Sequence, residues 1–225
     1  MTPIKENLAA VELQILQACH QANRSRHDVC LLAVSKTKTR QLIEQAYQSG
    51  QRSFGESYIQ EAVDKMMQLT HLKDAQWHFI GPIQSNKTKQ IATHFSWVHS
   101  IDRAKLITRL NDHRSAQDTP LNVCLQVNIS GEASKSGIAP DEVALLAKLV
   151  ESCDNLCLRG VMAIPKKNDS QDSFIAMHTI FKQLKQKYPS VDTLSMGMSG
   201  DLKQAIANGS TMIRVGSAIF GKRVM

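Results

Sequence analysis

The chain has 225 residues, of which 42% are hydrophobic, and this length supports one sizeable core. The sequence contains no apolar stretch long enough to span a bilayer. Its opening, MTPIKENLAAVELQ, is mixed polar and charged, which is unlike a secretory signal, so we expect a cytoplasmic protein without membrane contact. The formal net charge is +7, but aromatic residues make up only 5% and no arginine-rich run occurs, which favours a solvated basic surface over nucleic-acid binding.

A strand-like apolar run, a turn and an amphipathic helical pattern alternate along the chain. The predicted strands cover 31–35, 52–54, 76–80, 97–100, 122–128, 158–163, 193–196 and 211–215. Helical patterns fill the gaps, for example at 40–49, 58–69, 104–112, 141–152 and 173–188, and a further helix at about 4–22 precedes the first strand. This alternation implies a parallel sheet covered by helices.

Eight such units in about 200 residues favour an α/β fold with a closed (β/α)8 barrel, the TIM barrel. We predict one domain over 1–225, with an extra N-terminal helix within 1–28 and the barrel in 29–221. The alternative is an open doubly wound sheet, but SKTKTR stands where that fold has a glycine-rich nucleotide turn. In barrel enzymes the functional residues lie at the carboxyl ends of the strands.

The five cysteines are scattered and odd in number, which argues against a disulfide framework. Cys153 and Cys157 would face each other one turn apart on a helix, but no further histidine or cysteine lies at ligand spacing. The eight histidines are dispersed and form no HExxH-like motif. We therefore expect no metal site.

Lys36 directly follows the first predicted strand, in the segment LLAVSK. Strand alternation puts Leu32, Val34 and Lys36 on one face, so the lysine points into the barrel mouth if that face is the inner one. An ammonium group against apolar walls loses hydration, which favours the neutral amine that Schiff-base chemistry requires. The alternative is an ordinary strand-end lysine that reaches water. Lys38 lies further into the loop and is expected in solvent.

Glycine and serine residues follow the seventh and eighth predicted strands. The seventh strand ends in LSMGMSGDL, where Ser199 supplies a hydroxyl just before a helix that begins near Asp201. The eighth ends in IRVGSAIFG, where Gly216 and Ser217 open a short terminal segment. Barrels often bind phosphate with these two loops, because glycine lets backbone N–H groups approach the anion. The alternative is that Ser199 only caps a helix and Gly216 only makes a turn.

Arg214 is expected inside the eighth strand, on the same face as Met212 and Gly216. An isolated guanidinium is too costly to bury, so it needs a carboxylate or a ligand acceptor. If the acceptor is the pyridine nitrogen of a cofactor, the arginine donates a hydrogen bond without giving up a proton, which makes the cofactor a weaker electron sink. The alternative is a salt bridge to an acid such as Glu56.

Six motifs that occur in order along the chain resemble those of one protein family: AVSKTKT, FGESYIQE, WHFIGPIQSNK, LQVNISGEASKSG, RGVMAIP and LSMGMSGDLKQAIANGSTMIRVGSAIFG. They extend over about 31–221 and are similar to the motifs of the YggS/PROSC pyridoxal-phosphate homeostasis proteins, which are themselves similar to the barrel domain of alanine racemase. The resemblance implies a fold-type III barrel that binds pyridoxal 5′-phosphate.

The same resemblance implies that the cofactor forms a Schiff base with the lysine of SKTK, here Lys36, and that Arg214 faces the pyridine nitrogen. It implies further contacts from the loops after the last two strands, at Met198, Ser199, Gly200, Gly216 and Ser217. The chain departs from the family pattern at three positions. Ser57 stands where the family usually has an asparagine that could brace the cofactor, so the contact of this shorter side chain is left open. Thr39 replaces a proline and can cap the next helix, and Ser217 replaces a threonine but keeps the hydroxyl.

Three further motif residues have roles that the sequence leaves open. His78 is either a hydrogen-bonded strand histidine or a cofactor contact. Asn86 either contacts the ligand or, with Ser85, starts the helix that follows Pro82. Lys135 is either a mobile loop charge or a residue that closes over the site and receives transferred cofactor.

The favoured function is a carrier that buffers pyridoxal phosphate or delivers it to apoenzymes, and so influences vitamin B6 and amino-acid balance. A racemase takes its second base from an additional domain and a partner subunit. Because the chain ends at Met225, soon after the eighth strand, we expect no such domain. The resemblance carries no obligate interface, so we expect a monomer. The alternatives are a pyridoxal-phosphate-dependent racemase or lyase, and an aldolase-type barrel that uses Lys36 on a sugar phosphate without a cofactor.

Overall fold

Eight parallel strands close into a barrel in simple chain order, with the first strand paired to the last. The structure is a computed structural model that describes residues 3–115, 117–132, 134–166 and 170–222. All eight predicted strands are present, and helices on the outside connect them. The predicted (β/α)8 barrel is confirmed, and the alternative of an open doubly wound sheet was wrong.

The strands are β1 Cys30–Val34, β2 Ser53–Glu56, β3 Gln76–Phe79, β4 Trp97–Ile101, β5 Leu121–Gln126, β6 Leu156–Met162, β7 Thr193–Ser195 and β8 Met212–Val215. The helices are α1 Ile4–Gln21, α2 Arg40–Gln48, α3 Ile59–Gln68, α4 Thr88–His94, α5 Ala104–Arg114, α6 Val143–Glu151, α7 Ser170–Lys187, α8 Leu202–Ala207 and α9 Ser217–Phe220. Short 3₁₀ turns lie at Arg26–Asp28, Ser85–Lys87 and Pro140–Glu142.

The alternation of side chains along each strand separates two apolar regions. Outward-facing residues such as Ala33 and Phe54 pack against the helices in the main core. The inward-facing side chains of Trp97, Cys124 and Met162 form a separate small cluster inside the barrel. The barrel is thus filled by side chains, which leaves its two ends as the places where a ligand can enter.

Helix α1 is the extra element that precedes the barrel, as expected. Its buried residues Ile4, Leu8, Val11 and Ile15 recur every three or four positions and form one apolar stripe. This stripe packs on α2, α8 and α9, and Asn7 Nδ2 donates to the carbonyl of Ile219 over 2.8 Å. The helix therefore braces the short α9 that follows β8.

Two local expectations were wrong. Cys153 follows the end of α6 and Cys157 lies in β6, so the two thiols are not on one helix, and both are free. Thr39 occupies the N-cap position of α2, but its side chain accepts no capping hydrogen bond. None of the helices in the described ranges is long and apolar enough to cross a membrane.

Candidate functional site

Lys36 lies in the turn that follows the carboxyl end of β1. Inside the barrel Leu32 lies against Gly55 of β2, since a Cβ at that glycine would be 3.3 Å from the Leu32 Cγ. Val34 and Lys36 follow on the same face by alternation. Lys36 is partly buried. Lys36 thus lies two residues beyond the carboxyl end of β1, and the entry of its side chain into the barrel mouth stays a prediction.

The loop after β7 forms a compact turn with an open side. The Met198 N–H donates to Asp201 Oδ1 over 2.5 Å, and the Asp201 N–H donates back to the Met198 carbonyl over 3.1 Å. Asp201, not Ser199, is the N-cap residue of α8, so the alternative in which Ser199 only caps that helix was wrong. Ser199 and Gly200 are exposed, and a Cβ at Gly200 would meet no atom within 4 Å. Space beside this backbone is therefore available to a ligand.

The loop after β8 contacts the strand that carries Lys36. A Cβ at Gly216 would be 3.2 Å from the Val34 carbonyl oxygen, so the two backbones approach closely. Ser217 follows as the exposed first residue of α9. Lys38 Nζ donates to the carbonyls of Gly221 and Lys222, at 2.8 and 2.9 Å, just beyond the last residue of that helix. Lys38, which we expected in solvent, is partly exposed and also ties the Lys36 loop to the end of α9.

Arg214 lies inside the barrel, 5% exposed, and hydrogen-bonds to two other strands' ends. Nη1 donates to Ser195 Oγ over 2.7 Å and Nη2 donates to the Ala163 carbonyl over 2.8 Å. Burial lowers the pKa of Arg214 to about 10, so the guanidinium stays charged at neutral pH. It has five N–H donors, of which these two bonds use two. The two hydrogen bonds fix the Arg214 side chain, and its remaining N–H groups can donate to a ligand.

Two buried histidines extend this network across the barrel. His99 Nδ1 lies 3.2 Å from Ser195 Oγ, and His99 Nε2 lies 3.0 Å from His78 Nδ1. Burial lowers the pKa of His78 to about 3, and burial with the nearby His78 and Arg214 lowers that of His99 well below its usual value. Both rings are neutral at physiological pH. Each neutral ring carries one N–H and one lone pair, so the rings can relay a directional chain of hydrogen bonds from Arg214.

His78 and Ser57 stand at different depths of the barrel. His78 is 1% exposed, stacks on Trp97 with ring centroids 5.1 Å apart, and has an Nε2 without a hydrogen-bond partner among the described residues. Its hydrogen bond to His99 supports the role of a strand histidine. Ser57 is partly exposed just beyond β2, where Gly81 packs on its backbone. A direct cofactor contact stays a prediction for both residues.

Asn86 and Lys135 lie in loops at the barrel mouth. Asn86 is exposed within the 3₁₀ turn that starts α4, which supports the helix-start alternative. Lys135 is partly buried, pairs with Glu132 over 2.8 Å and donates to the Ile164 carbonyl over 3.3 Å. It lines a cavity of about 230 Å³ together with Gln126, Asn128 and residues that follow β3 and β6. Lys135 is thus held at the rim of the mouth.

Glu56 does not pair with Arg214, so that alternative was wrong. It is fully buried on the outer face of β2, where Lys65 Nζ donates to Oε1 over 2.9 Å. The sequence interpretation missed Lys65, and it also missed His99 and Ser195. An i,i+4 spacing from Glu61 to Lys65 was the available signal for Lys65. No comparable local signal marks His99 or Ser195, because they meet only across the closed barrel.

No group of three or more histidine, cysteine, aspartate or glutamate side chains in the described ranges is arranged to hold a metal ion.

Residues 7–224 match the family model described as alanine racemase, N-terminal domain. The chain belongs to this family. Within the family, a curated relative from Pasteurella multocida is 51% identical over 98% of this chain and 97% of its own length, and it is named pyridoxal phosphate homeostasis protein.

Two solved structures of the same fold extend the comparison. PipY of Synechococcus elongatus, solved with pyridoxal phosphate bound, has a TM-score of 0.84 and is 34% identical, covering 97% of this chain and all of PipY. An alanine racemase from Clostridium difficile has a TM-score of 0.73 at 11% identity, covering this whole chain but 59% of the racemase. The racemase likeness shows the barrel fold alone.

Proposed function

We propose that this protein binds pyridoxal 5′-phosphate as a Schiff base on Lys36 and serves pyridoxal-phosphate and amino-acid homeostasis, without turnover of a substrate. The names of its curated relatives and the cofactor in PipY support this proposal. The observation that carries it is the close approach of Gly216 to Val34, which brings the loop after β8 next to the strand that ends in Lys36.

The side chains at the mouth fit an anionic aldehyde ligand with an aromatic nitrogen. Exposed hydroxyls at Ser199 and Ser217 and the open space beside Gly200 suit a phosphate, which accepts hydrogen bonds and needs close backbone approach. Arg214 is a charged donor that can face an unprotonated ring nitrogen. When bound, the cofactor supplies an aldehyde carbon, to which the Lys36 amine forms a C=N bond with release of one water.

A charged Arg214 near the ring nitrogen supports storage rather than catalysis. It would donate a hydrogen bond to that nitrogen but keep its proton, so a bound cofactor would be a weak electron sink, which disfavours carbanion chemistry. The exposure of Ser199 and Ser217 supports a cofactor that can leave for apoenzymes dependent on it. We further propose that the protein works as a monomer in the cytoplasm.

Borohydride reduction followed by peptide mass mapping tests the covalent link. We expect the pyridoxyl group on Lys36 in the wild type, and loss of both the label and the visible absorbance band in Lys36→Ala. Lys38→Ala is the matched control and should keep the label on Lys36. A protein that stays colourless after incubation with pyridoxal phosphate would contradict the proposal.

Deuterium incorporation tests the absence of turnover. The loaded protein is incubated in D₂O with amino acids, and the α-carbon is followed by NMR. We expect no enzyme-dependent exchange. Exchange that depends on Lys36 would instead assign a racemase or lyase activity.

A further inference from the structure

The backbone on both sides of Lys36 is held by one cluster of charged side chains, which we call the Lys65 cluster and which consists of the buried Glu56 and Lys65 and the partly exposed Glu61. Lys65 Nζ contacts Glu56 Oε1 at 2.9 Å and Glu61 Oε1 at 2.5 Å. Glu56 is 0% exposed and Lys65 is 7% exposed. Glu61 is more exposed, at 31% of its side chain, and closes the cluster toward solvent.

Three hydrogen bonds connect this cluster to the residues that flank Lys36. Ser35 Oγ donates to Glu56 Oε1 over 2.7 Å, and Lys65 Nζ donates to the Ser35 carbonyl over 2.9 Å. On the other side, the Thr37 N–H donates to Glu61 Oε1 over 2.6 Å. The residue before Lys36 and the residue after it are therefore attached to the same group of side chains.

Thr37 adopts a backbone conformation that threonine seldom takes. Its φ is +61°, in the left-handed region, which is unfavourable for a β-branched residue. Such a conformation persists only where the surroundings hold it. The bond from the Thr37 N–H to Glu61 is that support, and without it the chain can relax and redirect the Lys36 side chain.

The cluster acts on Lys36 through the backbone rather than by contact with a ligand. Glu56 lies on the outer face of β2 and meets Lys65 on α3, whereas Lys36 lies in the turn after β1. One oxygen of Glu56, Oε2, has no hydrogen-bond partner among the described residues. A buried ion pair of this kind contributes little net stability, since desolvation offsets the attraction. Its effect here is to hold Ser35, while Glu61 holds Thr37.

We propose that Glu56, Glu61 and Lys65 are positioning residues that aim Lys36 at the carbonyl carbon of pyridoxal phosphate. This inference rests on the proposed function of Lys36. It predicts that the cluster sets the rate at which Lys36 reacts with the cofactor, whereas the phosphate contacts of the two loops remain intact.

Glu61 offers the sharpest test, because it lies at the exposed end of the cluster. Glu61→Ala removes the acceptor for the Thr37 N–H, whereas Glu61→Gln keeps an oxygen there but removes the charge. In stopped-flow absorbance after mixing with pyridoxal phosphate, we expect Glu61→Ala to slow bond formation at Lys36 about tenfold, because small misplacements of a reacting group are costly. Glu61→Gln should restore most of the rate.

Glu12→Ala is the matched control. Glu12 lies in α1 and also forms a 2.5 Å ion pair, with Arg26, but touches neither Ser35 nor Thr37. Its rate should equal that of the wild type. Equal rates for Glu61→Ala and wild type, or a Glu61→Gln variant as slow as Glu61→Ala, would overturn the proposed role of Glu61.

Lys65 is tested with a double variant, because Lys65→Met alone leaves Glu56 buried without a counterion. Glu56→Gln/Lys65→Met replaces the pair by neutral side chains of similar size and keeps the fold, which thermal melting verifies. We expect the same slow reaction as in Glu61→Ala. A folded double variant that reacts at the wild-type rate would contradict the positioning role.

Hydrogen exchange provides a readout that needs no cofactor. In the unloaded protein, mass spectrometry of a peptide spanning 35–38 should show faster amide exchange in Glu61→Ala than in Glu61→Gln or wild type, since the Thr37 N–H loses its acceptor. Unchanged exchange would show that the Lys65 cluster does not hold the backbone beside Lys36, whatever the kinetics show. If the wild type never reacts with pyridoxal phosphate, the proposed function fails instead. The exchange result alone then decides whether the Lys65 cluster holds this backbone.

Discussion

Arg214 Nη1 donates a 2.7 Å hydrogen bond to Ser195 Oγ, and this bond joins β8 to β7 inside the barrel. Ser195 Oγ is also 3.2 Å from His99 Nδ1, so one hydroxyl serves both the guanidinium and an imidazole. Because Arg214 can only donate, the serine oxygen accepts, and its own proton is available for the histidine. Ser195 therefore determines where the Arg214 head group lies relative to the barrel mouth.

Removal of the Ser195 hydroxyl is expected to lower both stability and cofactor affinity. Ser195→Ala leaves buried donors of Arg214 and a buried nitrogen of His99 unpaired, which costs about 1–3 kcal/mol of unfolding free energy. Urea denaturation followed by circular dichroism measures this loss. Arg214 also loses its orientation, so the dissociation constant for pyridoxal phosphate should rise.

Ser53→Ala serves as the control for that experiment. Ser53 is also a buried strand serine, but its hydroxyl makes only a 3.8 Å contact with the Cys30 thiol. We expect a smaller loss of stability and no change in affinity. A Ser195→Ala variant as stable as Ser53→Ala would show that the Arg214 network does not need the hydroxyl.

The two barrel histidines should make the protein less stable as the pH falls. The pKa of His78 is lowered to about 3 and that of His99 is lowered well below its usual value, mainly by burial. In the unfolded chain both rings titrate near a pKa of about 6.5. The unfolded state therefore takes up protons first, and stability is full above about pH 7 and decreases as the pH falls from about 6.5 toward 3.

Between pH 7.5 and pH 5.5 His78 should cost about 1 kcal/mol of unfolding free energy, and His99 should add a loss in the same direction. Urea titrations at the two pH values measure the sum. His78→Gln keeps a hydrogen-bonding side chain and should reduce the pH-dependent loss by one such contribution. His20→Gln, at an exposed position on α1, should leave it unchanged. If the wild type, His78→Gln and His20→Gln lose the same unfolding free energy between the two pH values, His78 takes up its proton in the folded state over the same pH range as in the unfolded state.

The barrel was predictable because strand-like runs of three to seven residues alternate with amphipathic helical patterns, and such local patterns need no long-range information. The places of Lys36, Ser199 and Ser217 after the carboxyl ends of their strands were predictable for a related reason, since parallel strands put those ends at one end of the barrel. Element boundaries shifted by a few residues, as at β6, which begins at Leu156 rather than at 158.

Two polar contacts were not predictable from the sequence: that between His99 and Ser195 inside the barrel, and that between Lys65 and Glu56 on its outer face. His99 and Ser195 are 96 residues apart, and they meet only because β4 and β7 face each other across the closed barrel. Lys65 lies beside the apolar stripe of α3, where a lysine commonly extends to water. Its burial against Glu56 depends on how α3 is rotated on the barrel, and the spacing of apolar residues does not fix that rotation to the level of single side chains.

Two glycines in one loop should respond in opposite ways to alanine. Gly197 has a φ of +94°, and a Cβ there would lie 2.4 Å from the Ala205 Cβ, so Gly197→Ala should lose about 2–4 kcal/mol of stability or fail to fold. A Cβ at Gly200 would meet no atom within 4 Å, so Gly200→Ala should melt like the wild type. The added methyl group would nevertheless occupy the space that the phosphate needs, and the affinity for pyridoxal phosphate should fall about tenfold.

Thermal melting and fluorescence titration together check both variants. The informative result is the Gly200→Ala protein, because stability and binding separate there. If it binds pyridoxal phosphate as tightly as the wild type, the phosphate lies elsewhere in the mouth.

The Ser217 hydroxyl is expected to recognise the phosphate rather than the ring of the cofactor. Ser217 is exposed at the start of α9 and next to Gly216, which approaches the strand of Lys36. Ser217→Ala removes one hydrogen bond to a charged group, so pyridoxal phosphate should bind about fivefold to tenfold more weakly, an effect moderated by solvent at this exposed position. Pyridoxal, which has no phosphate, should bind Ser217→Ala and the wild type equally.

The comparison of the two ligands separates a local contact from a general loosening of the site. A variant that weakens both ligands by the same factor would show that Ser217 supports the fold of α9 instead of the phosphate. Ser152→Ala, at the C-cap of α6 where the chain leads into the amino end of β6, is the control and should alter neither affinity. Lys38 holds the far end of α9 through the Gly221 and Lys222 carbonyls, so the helix should stay in place in Ser217→Ala. A lower affinity for pyridoxal phosphate alone, and not for pyridoxal, is then due to the missing hydroxyl.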